Sequence, residues 1–138
     1  MWKLYAVLAA LFAALTSILA KIGIKDVDSN LATAVRTVVI VLLAWGIVFL
    51  TGAVSGIKDL TKQNWTFLIL SGIATGLSWL FYYKAISLGD VSQVAPIDKS
   101  SIVLTLLLSF IILREQPSLK TLLAGGLITA GTFVMLWK

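Results

Sequence analysis

The chain of 138 residues contains no cysteine and no histidine. Without cysteine it can form neither a disulfide nor a thiolate nucleophile. Without histidine it lacks the usual imidazole base and one of the commonest zinc ligands. These absences argue against metal enzymes and against enzymes built on a nucleophile and a base. We therefore expect no catalysis, no bound metal and no cofactor.

Charged residues are also scarce, at 12% of the chain, whereas 59% of the residues are hydrophobic. Such a composition lies far outside the usage of soluble domains and predicts an integral membrane protein. The net charge of +5 comes from lysines and arginines spread between apolar runs, which suits lipid headgroups better than nucleic acid. We expect a multi-pass protein of the cell membrane, either a plasma membrane or an inner membrane. Its partner is the lipid bilayer, and we expect it to bind no nucleic acid.

Five apolar runs separated by short polar turns predict five transmembrane helices in a single all-α domain over residues 1–138. The first run has 17 uncharged residues between Lys3 and Lys21, close to the lower limit of about 17 for crossing the hydrocarbon core. Four more runs follow it, so we interpret it as a retained helix and not as a signal peptide. The predicted spans are residues 4–21, 31–51, 64–84, 91–113 and 119–137.

The fourth run carries two charges, Asp98 and Lys99, at its head. Only 14 uncharged residues separate Lys99 from Arg114, too few for a straight helix to cross a core that needs about 20. Either the helix carries its charges inward, or it begins near Pro96. Proline is favoured at a helix start, and the helix dipole would stabilise a carboxylate in the first turn. The sequence leaves both alternatives open.

Polar side chains form one stripe on the third span and another on the fourth. At 100° per residue, each set falls on a single face of its helix. Polar groups in hydrocarbon are costly unless they meet protein or water, so the stripes predict a cavity wall or, alternatively, contacts with partner helices. The stripes comprise Ser71, Thr75, Ser78 and Tyr82 on the third span, and Asp98, Ser101, Thr105 and Ser109 on the fourth.

Charged and aromatic residues near the ends of the spans also have two interpretations. We interpret Arg36, near the start of the second span, as an end charge that snorkels to the headgroups. The aromatic residues around Tyr82 form either a belt at the headgroup level or part of a substrate pocket. In that pocket, Asp98 would bind a cationic group or a proton, and Lys99 a carboxylate. The candidate substrate-binding residues are Ser78, Trp79, Tyr82, Tyr83, Asp98, Lys99, Ser101 and Thr105.

Two longer stretches carry a resemblance to a known family: WLFYYKAISLGDVSQVAP, leading into the fourth span, and the closing run LLLSFIILREQPSLKTLLAGGLITAGTFVML. Together with five short spans, they resemble the EamA domain of the drug/metabolite transporter superfamily over nearly the whole chain. The most specific pieces are YYKAI, Glu115 and the glycine-rich fifth span. The chain departs from the family pattern at Arg114, where a glycine often stands, and at Pro96, which lies earlier than the usual proline.

Members of that family usually carry two such domains, inverted relative to one another. They export small metabolites through a cavity lined by the first, third and fourth helices of each half. The resemblance therefore implies that this chain is one half of a transporter and that it works as at least a homodimer. On this basis we expect a transporter that exports a small-molecule substrate by alternating access.

The distribution of basic residues predicts how such a dimer would form. Five basic residues fall on the N-terminal side of the predicted spans and four on the other, once the partly embedded Arg36 and Lys99 are set aside. This near balance predicts insertion in both orientations and an antiparallel homodimer. The two sets are Lys3, Lys58, Lys62, Arg114 and Lys120, and Lys21, Lys25, Lys84 and Lys138.

Two other functions compete with metabolite export. A small multidrug resistance-like exchanger would use Asp98 as the carboxylate for which a cation and a proton compete. The neighbouring Lys99 counts against it, because an ammonium stabilises the ionised carboxylate and leaves less free charge for a cation. The other alternative is a non-transporting membrane scaffold subunit, whose polar stripes would merely contact partner helices.

Overall fold

The computed structural model describes residues 1–137, and every regular element in that range is helical. A 3₁₀ helix, Ala53–Asp59, lies between the second and third helices, and a π-helical turn, Ser109–Leu113, follows the fifth. Residues 1–137 contain no strand, so the predicted all-α class is confirmed. The helices are α1 (Trp2–Gly23), α2 (Ser29–Leu50), α3 (Lys62–Leu88), α4 (Val91–Asp98), α5 (Ser101–Leu108) and α6 (Leu119–Leu136).

Four stretches are long and apolar enough to cross a membrane: α1, α2, α3 and the run Val91–Leu113. They correspond to the first four predicted spans, with ends that differ by a few residues. The fifth predicted span corresponds to α6, which has 18 residues and ends at Leu136 instead of Trp137. The count of five spans stays a prediction. Lys138, which enters the predicted charge balance, lies outside the described residues.

The chain divides into two units, the first being Met1–Leu88 and the second beginning at Gly89. In the first unit, α3 packs against both α1 and α2. Its buried side chains gather at one end, where α1 finishes, α2 starts and α3 finishes, and we call this the buried end. Elsewhere the apolar side chains of the three helices are mostly exposed, as expected for surfaces that face lipid. The buried side chains are Ala20, Ile24, Ser29, Thr33, Tyr82, Tyr83 and Ile86.

The turn at the buried end is fixed by local backbone chemistry. The Asp28 carboxylate accepts hydrogen bonds from the backbone N–H groups of Asn30, at 2.9 Å, and Leu31, at 3.1 Å. This N-cap satisfies two donors that the first turn of a helix leaves open, so α2 begins at Ser29. On α1, the Lys21 ammonium donates to the Ile86 carbonyl at 2.7 Å and ties the end of α1 to the end of α3.

In the second unit, α6 packs against α4 and α5, and the predicted fourth helix is interrupted. Pro96 lies inside α4 and has no N–H to donate to the preceding turn, which weakens the helix there. Asp98 is the last residue of α4, and tighter i to i−3 bonds follow, from Ser100 N to Ile97 O and from Ile102 N to Lys99 O. The alternative in which the helix begins at Pro96 is therefore wrong, because α4 begins at Val91.

The contact between α5 and α6 depends on a glycine. A Cβ atom added at Gly125 would lie 2.7 Å from the Leu106 Cδ1 atom, so only a residue without a side chain fits unchanged. The connection between the two helices reverses at Arg114, whose φ of 56° lies in the left-handed region. Ser118 then caps α6 by accepting from the Thr121 N–H at 3.2 Å.

Candidate functional site

Tyr82 joins two helices at the buried end of the first unit. Its hydroxyl donates to the Ser17 hydroxyl at 2.7 Å, across α3 and α1, and the Tyr82 side chain is only 9% exposed. The Ser17 hydroxyl in turn donates to the Ala13 carbonyl of its own helix at 3.0 Å. Tyr82 is thus the member of the α3 stripe that meets another helix, whereas Ser71, Thr75 and Ser78 are exposed within residues 1–137.

Arg36 of α2 lies flat against aromatic rings of α3. Its Cζ atom is 3.5 Å from the centroid of the Trp79 ring and 5.7 Å from that of Tyr83. Trp79 meets Tyr82 and Tyr83 edge-on, with centroid separations of 5.5 and 5.9 Å. Such a cation–π stack is worth about 0.5–2 kcal/mol, more where water is excluded. The rings therefore fix the guanidinium in place.

Arg36 and the ring that it contacts both lie several residues inside their helices. Arg36 is the eighth residue of α2, roughly 10 Å along the helix from Ser29 at 1.5 Å per residue. Trp79 is nine residues before the last residue of α3, Leu88, so the ring beneath the guanidinium also lies well inside its helix. The guanidinium therefore contacts a ring of α3 at this level, and its position relative to the headgroups stays a prediction.

A groove of about 560 Å³ runs beside Arg36 and is formed entirely by the first unit. We call it the Arg36 groove. Its walls are mostly apolar, with one guanidinium and the hydroxyls of a threonine and a tyrosine. Small-molecule sites have this character, since apolar walls supply contact area and a few polar groups fix orientation. Its lining includes Thr16 and Ala20 of α1, Val27 of the turn, Ala32 and Arg36 of α2, and Tyr83 of α3.

A second groove of about 490 Å³ lies between α2 and α3 and has no charged group in its lining. Its Thr33 and Thr37 hydroxyls donate to the carbonyls of Ser29 and Thr33 in their own helix, both at 2.8 Å. These hydroxyls therefore need no external partner. Gly76 lines the groove and, like Gly72, has no heavy atom within 4 Å of an added Cβ atom. The G-x-x-x-G pair thus makes no close helix contact within the described chain.

In the second unit, the structure places Asp98 and Lys99 together at the break between α4 and α5. The Lys99 ammonium lies 3.3 Å from the Asp98 carboxylate, and the two side chains are 56% and 35% exposed. Ser101 begins α5, and the Thr105 hydroxyl donates to the Ser101 carbonyl at 2.9 Å. Three predicted site residues, Trp79, Tyr82 and Tyr83, therefore cluster in the first unit. Asp98, Lys99, Ser101 and Thr105 follow one another in the second, and Ser78 stands exposed on α3.

Comparison with known protein families matches residues 1–137 to the EamA-like transporter family. The chain belongs to this family. A relative from a Sinorhizobium species, named as an uncharacterized transporter in the cobO 3′ region, is 42% identical over 134 residues. The match covers 97% of this chain and 95% of the relative. No solved structure matches the chain. The resemblance predicted from the sequence is confirmed, and the findings point to a multi-pass membrane transporter and not to an enzyme.

Two residues of this EamA-family transporter join the aromatic cluster although the sequence did not assign them to the site. Ser17 is a single serine in an apolar run, and nothing in the sequence around it signals its hydrogen bond to Tyr82. Arg36 was visible as a charge inside a span. What the sequence could not give was the face of α2 that meets α3, and that face decides whether Arg36 points to lipid or to Trp79.

Proposed function

We propose that this EamA-family protein exports a small polar or amphipathic metabolite across the cell membrane by alternating access, as a homodimer of inverted copies. The observation that carries the proposal is the Arg36 groove. It combines about 560 Å³ of space, apolar walls and a fixed guanidinium within helices that are long enough to span a membrane. A chain that only packed against lipid would gain nothing from this combination.

Several features support a dimer. The Arg36 groove of one copy is formed by its first unit alone, and a second copy would close it. The Sinorhizobium relative matches over 95% of its own length, so it too has room for one domain of this kind. Secondary transporters commonly place the substrate between two inverted repeats. The near balance of basic residues across the predicted loops supports the same arrangement, because orientation follows the asymmetry of Lys and Arg.

The break after Asp98 supplies a second proposed part of the path. Interrupted helices inside membranes occur where backbone lines a cavity or is buried in protein, and transporters use them to bind substrates and ions. The break here carries the pair of charges, Asp98 and Lys99, with Ser101 at the start of the next helix. We propose that these residues and Thr105 line the path of the solute in the second unit, and that Ser78 does so separately in the first.

A cation/proton exchanger is the second candidate, because Asp98 is the acidic residue of the described spans that stands at a helix break. The 3.3 Å contact with Lys99 disfavours it, since the ammonium already neutralises the carboxylate. The substitution Asp98→Asn separates the candidates. It should abolish proton-coupled exchange of cations completely, whereas export of a solute held mainly at the first unit should fall only in part. A scaffold would show no transport by either protein.

Transport itself is tested in liposomes that contain the purified protein. We expect counterflow of at least one member of a panel of amino acids, polyamines, quaternary amines and short carboxylates, above the level of protein-free vesicles. Absence of counterflow for every solute, with folded protein shown in the same vesicles, would contradict the transporter proposal and favour a scaffold.

The inverted dimer is tested separately by labelling. The chain has no native cysteine, so single thiols can be introduced at Ser55, in the exposed 3₁₀ helix after α2, and at Val27, in the exposed turn before α2. Each introduced thiol should react with an impermeant maleimide from both sides of the membrane. Reaction of each thiol from one side only would rule out dual orientation.

A further inference from the structure

We infer that Arg36 binds the oxyanion of the transported solute, and that this solute is a carboxylate with an apolar portion that occupies the Arg36 groove. The inference rests on the proposed transport function and gives the solute its charge. It places the binding site of the anion in the first unit, whereas the Asp98–Lys99 pair belongs to the second unit. Three observations carry it: the unpaired charge, the orientation of the guanidinium, and the apolar groove beside it.

The first observation is that Arg36 carries a charge inside a span without an acidic partner. Among residues 1–137, the ion pair found is that between Asp98 and Lys99. An arginine is always charged and has five N–H donors but no acceptor. Charged groups inside membrane segments are costly, and those that are kept generally face a cavity and serve a function. Aromatic rings offset part of this cost. A ring stacked on the face of the guanidinium, however, does not accept the hydrogen bonds that the N–H groups donate in the guanidinium plane.

The second observation is the orientation of the guanidinium. Its Cζ atom lies 3.5 Å from the Trp79 centroid, a separation at which a planar guanidinium stacks with one face on the ring. The N–H donors point outward in the plane of the guanidinium, along its edge, and are not consumed by the stack. That edge matches a carboxylate or phosphate group through two parallel hydrogen bonds. Trp79 therefore holds Arg36 ready to receive a planar anion.

The third observation is the groove that Arg36 helps to line. The Arg36 groove is lined mainly by aliphatic side chains of α1 and α2, such as Leu19, Leu31 and Val35, with no acidic residue in its lining. A solute with one carboxylate and a short hydrocarbon part would satisfy both the guanidinium and these walls. A cationic solute would meet the charge of Arg36 and would be repelled.

The phosphate of a lipid headgroup has the same hydrogen-bonding chemistry as a carboxylate solute, so the test must separate the two sources. Dodecyl maltoside micelles contain no phosphate and provide a neutral starting condition. The probes are hexanoate, hexanamide and hexylamine, which share a chain length and differ in headgroup. Phosphatidylglycerol is added in a separate titration. The readout is the tryptophan emission of the purified protein, to which Trp79 contributes directly.

We expect hexanoate to change the emission saturably, and hexanamide and hexylamine to leave it unchanged. Arg36→Gln should weaken hexanoate binding by about tenfold or more, the loss of one charge-assisted hydrogen-bonded pair. Arg36→Lys, which keeps the charge but lacks the planar fork, should bind with intermediate affinity and guards against a folding defect. The matched control is Arg114→Gln, the other arginine of the chain, which should bind as the native protein does.

Equal responses to all three probes, or unchanged hexanoate binding by Arg36→Gln, would overturn the inference. A response to phosphatidylglycerol but not to hexanoate would also overturn it, because Arg36 would then be a lipid contact. Hexanoate binding that depends on Arg36, in a protein that transports nothing in liposomes, would support the inference while refuting the proposed function. Transport of only neutral or cationic solutes would support the proposed function while refuting the inference.

Discussion

The two units of the chain handle polar groups inside apolar helices in different ways. The first has three unbroken helices of 22, 22 and 27 residues and places its buried polar residues, Ser29 and Thr33, at one end. The second interrupts a helix after Asp98, ends the next with a π-helical turn and leaves its charged pair partly exposed. The first unit thus fixes a charge by stacking it on aromatic rings, whereas the second places its charges where the helix is interrupted.

This difference has a physical cause in the sequence. From Val91 to Leu113, the second unit combines Pro96, which removes a backbone donor, with two adjacent charges that a continuous lipid-facing helix would have to embed. The helices of the first unit contain no proline. Their embedded charge, Arg36, has a long side chain that reaches Trp79 without disturbing the backbone. The first unit therefore supports its charge on unbroken helices, whereas the second unit interrupts its helix where the charges lie.

The largest effect is expected from Trp79→Ala in the first unit. The indole lies under Arg36 and meets both Tyr82 and Tyr83, so its removal leaves a void and exposes an unsupported charge. We expect a loss of about 2–3 kcal/mol in the free energy of unfolding, below the 3–5 kcal/mol of a fully buried tryptophan. Unfolding by sodium dodecyl sulfate in mixed micelles would measure it.

The control for this substitution is Trp65→Ala, at the start of the same helix, where the ring is 48% exposed. Trp65→Ala should lower the free energy of unfolding by clearly less than Trp79→Ala does. Equal destabilisation by the two substitutions would show that the buried end is not the centre of packing in the first unit.

The second prediction concerns the contact that holds α5 against α6. Gly125→Leu should destabilise the second unit by about 1–3 kcal/mol, because the new side chain would collide with Leu106. Gly131→Leu, six residues further along α6, should be tolerated, since no heavy atom lies within 4 Å of its added Cβ atom. Thermal unfolding of both variants would measure the effect. A tolerated Gly125→Leu would mean that the two helices do not pack at this glycine.

The smallest effect is expected from Tyr82→Phe, which removes the hydrogen bond between α3 and α1 but keeps the ring. Hydrogen bonds between membrane helices contribute about 0.6 kcal/mol on average, and we expect a loss near that value. A double-mutant cycle with Ser17→Ala isolates the pair. Tyr5→Phe, whose ring is 67% exposed, is the control. Additive effects of the Tyr82 and Ser17 substitutions would contradict the contact.

Much of the fold follows from the sequence because apolar runs and polar turns are local signals. The runs gave α1, α2 and α3 to within a few residues, and the motif around Tyr82 and Tyr83 identified an aromatic cluster that the structure does assemble. Pro96 and the two adjacent charges indicated that the fourth span is not a straight, lipid-facing helix. The predicted span 91–113 gave the start at Val91, but neither alternative described the interruption after Asp98.

The partners of Arg36 and Ser17 could not be predicted in the same way. Which faces of two helices meet depends on the rotation of each helix about its own axis. In lipid the hydrophobic pattern does not fix that rotation, because every face is apolar. The roles proposed for Asp98, Lys99, Ser101, Thr105 and Ser78 stay predictions for the same reason.

Blocking the Arg36 groove tests the central claim most directly, namely that the solute passes along it. Ala32 lies on the groove wall, and the chain has no native cysteine, so Ala32→Cys offers a single thiol there. Counterflow in liposomes is measured before and after treatment with N-ethylmaleimide, with Ser55→Cys as the labelled control outside the groove. We predict that modification of Ala32→Cys reduces transport to the level of protein-free vesicles and that transported solute slows the modification, while Ser55→Cys stays active. Full transport after complete modification of Ala32→Cys would contradict the account.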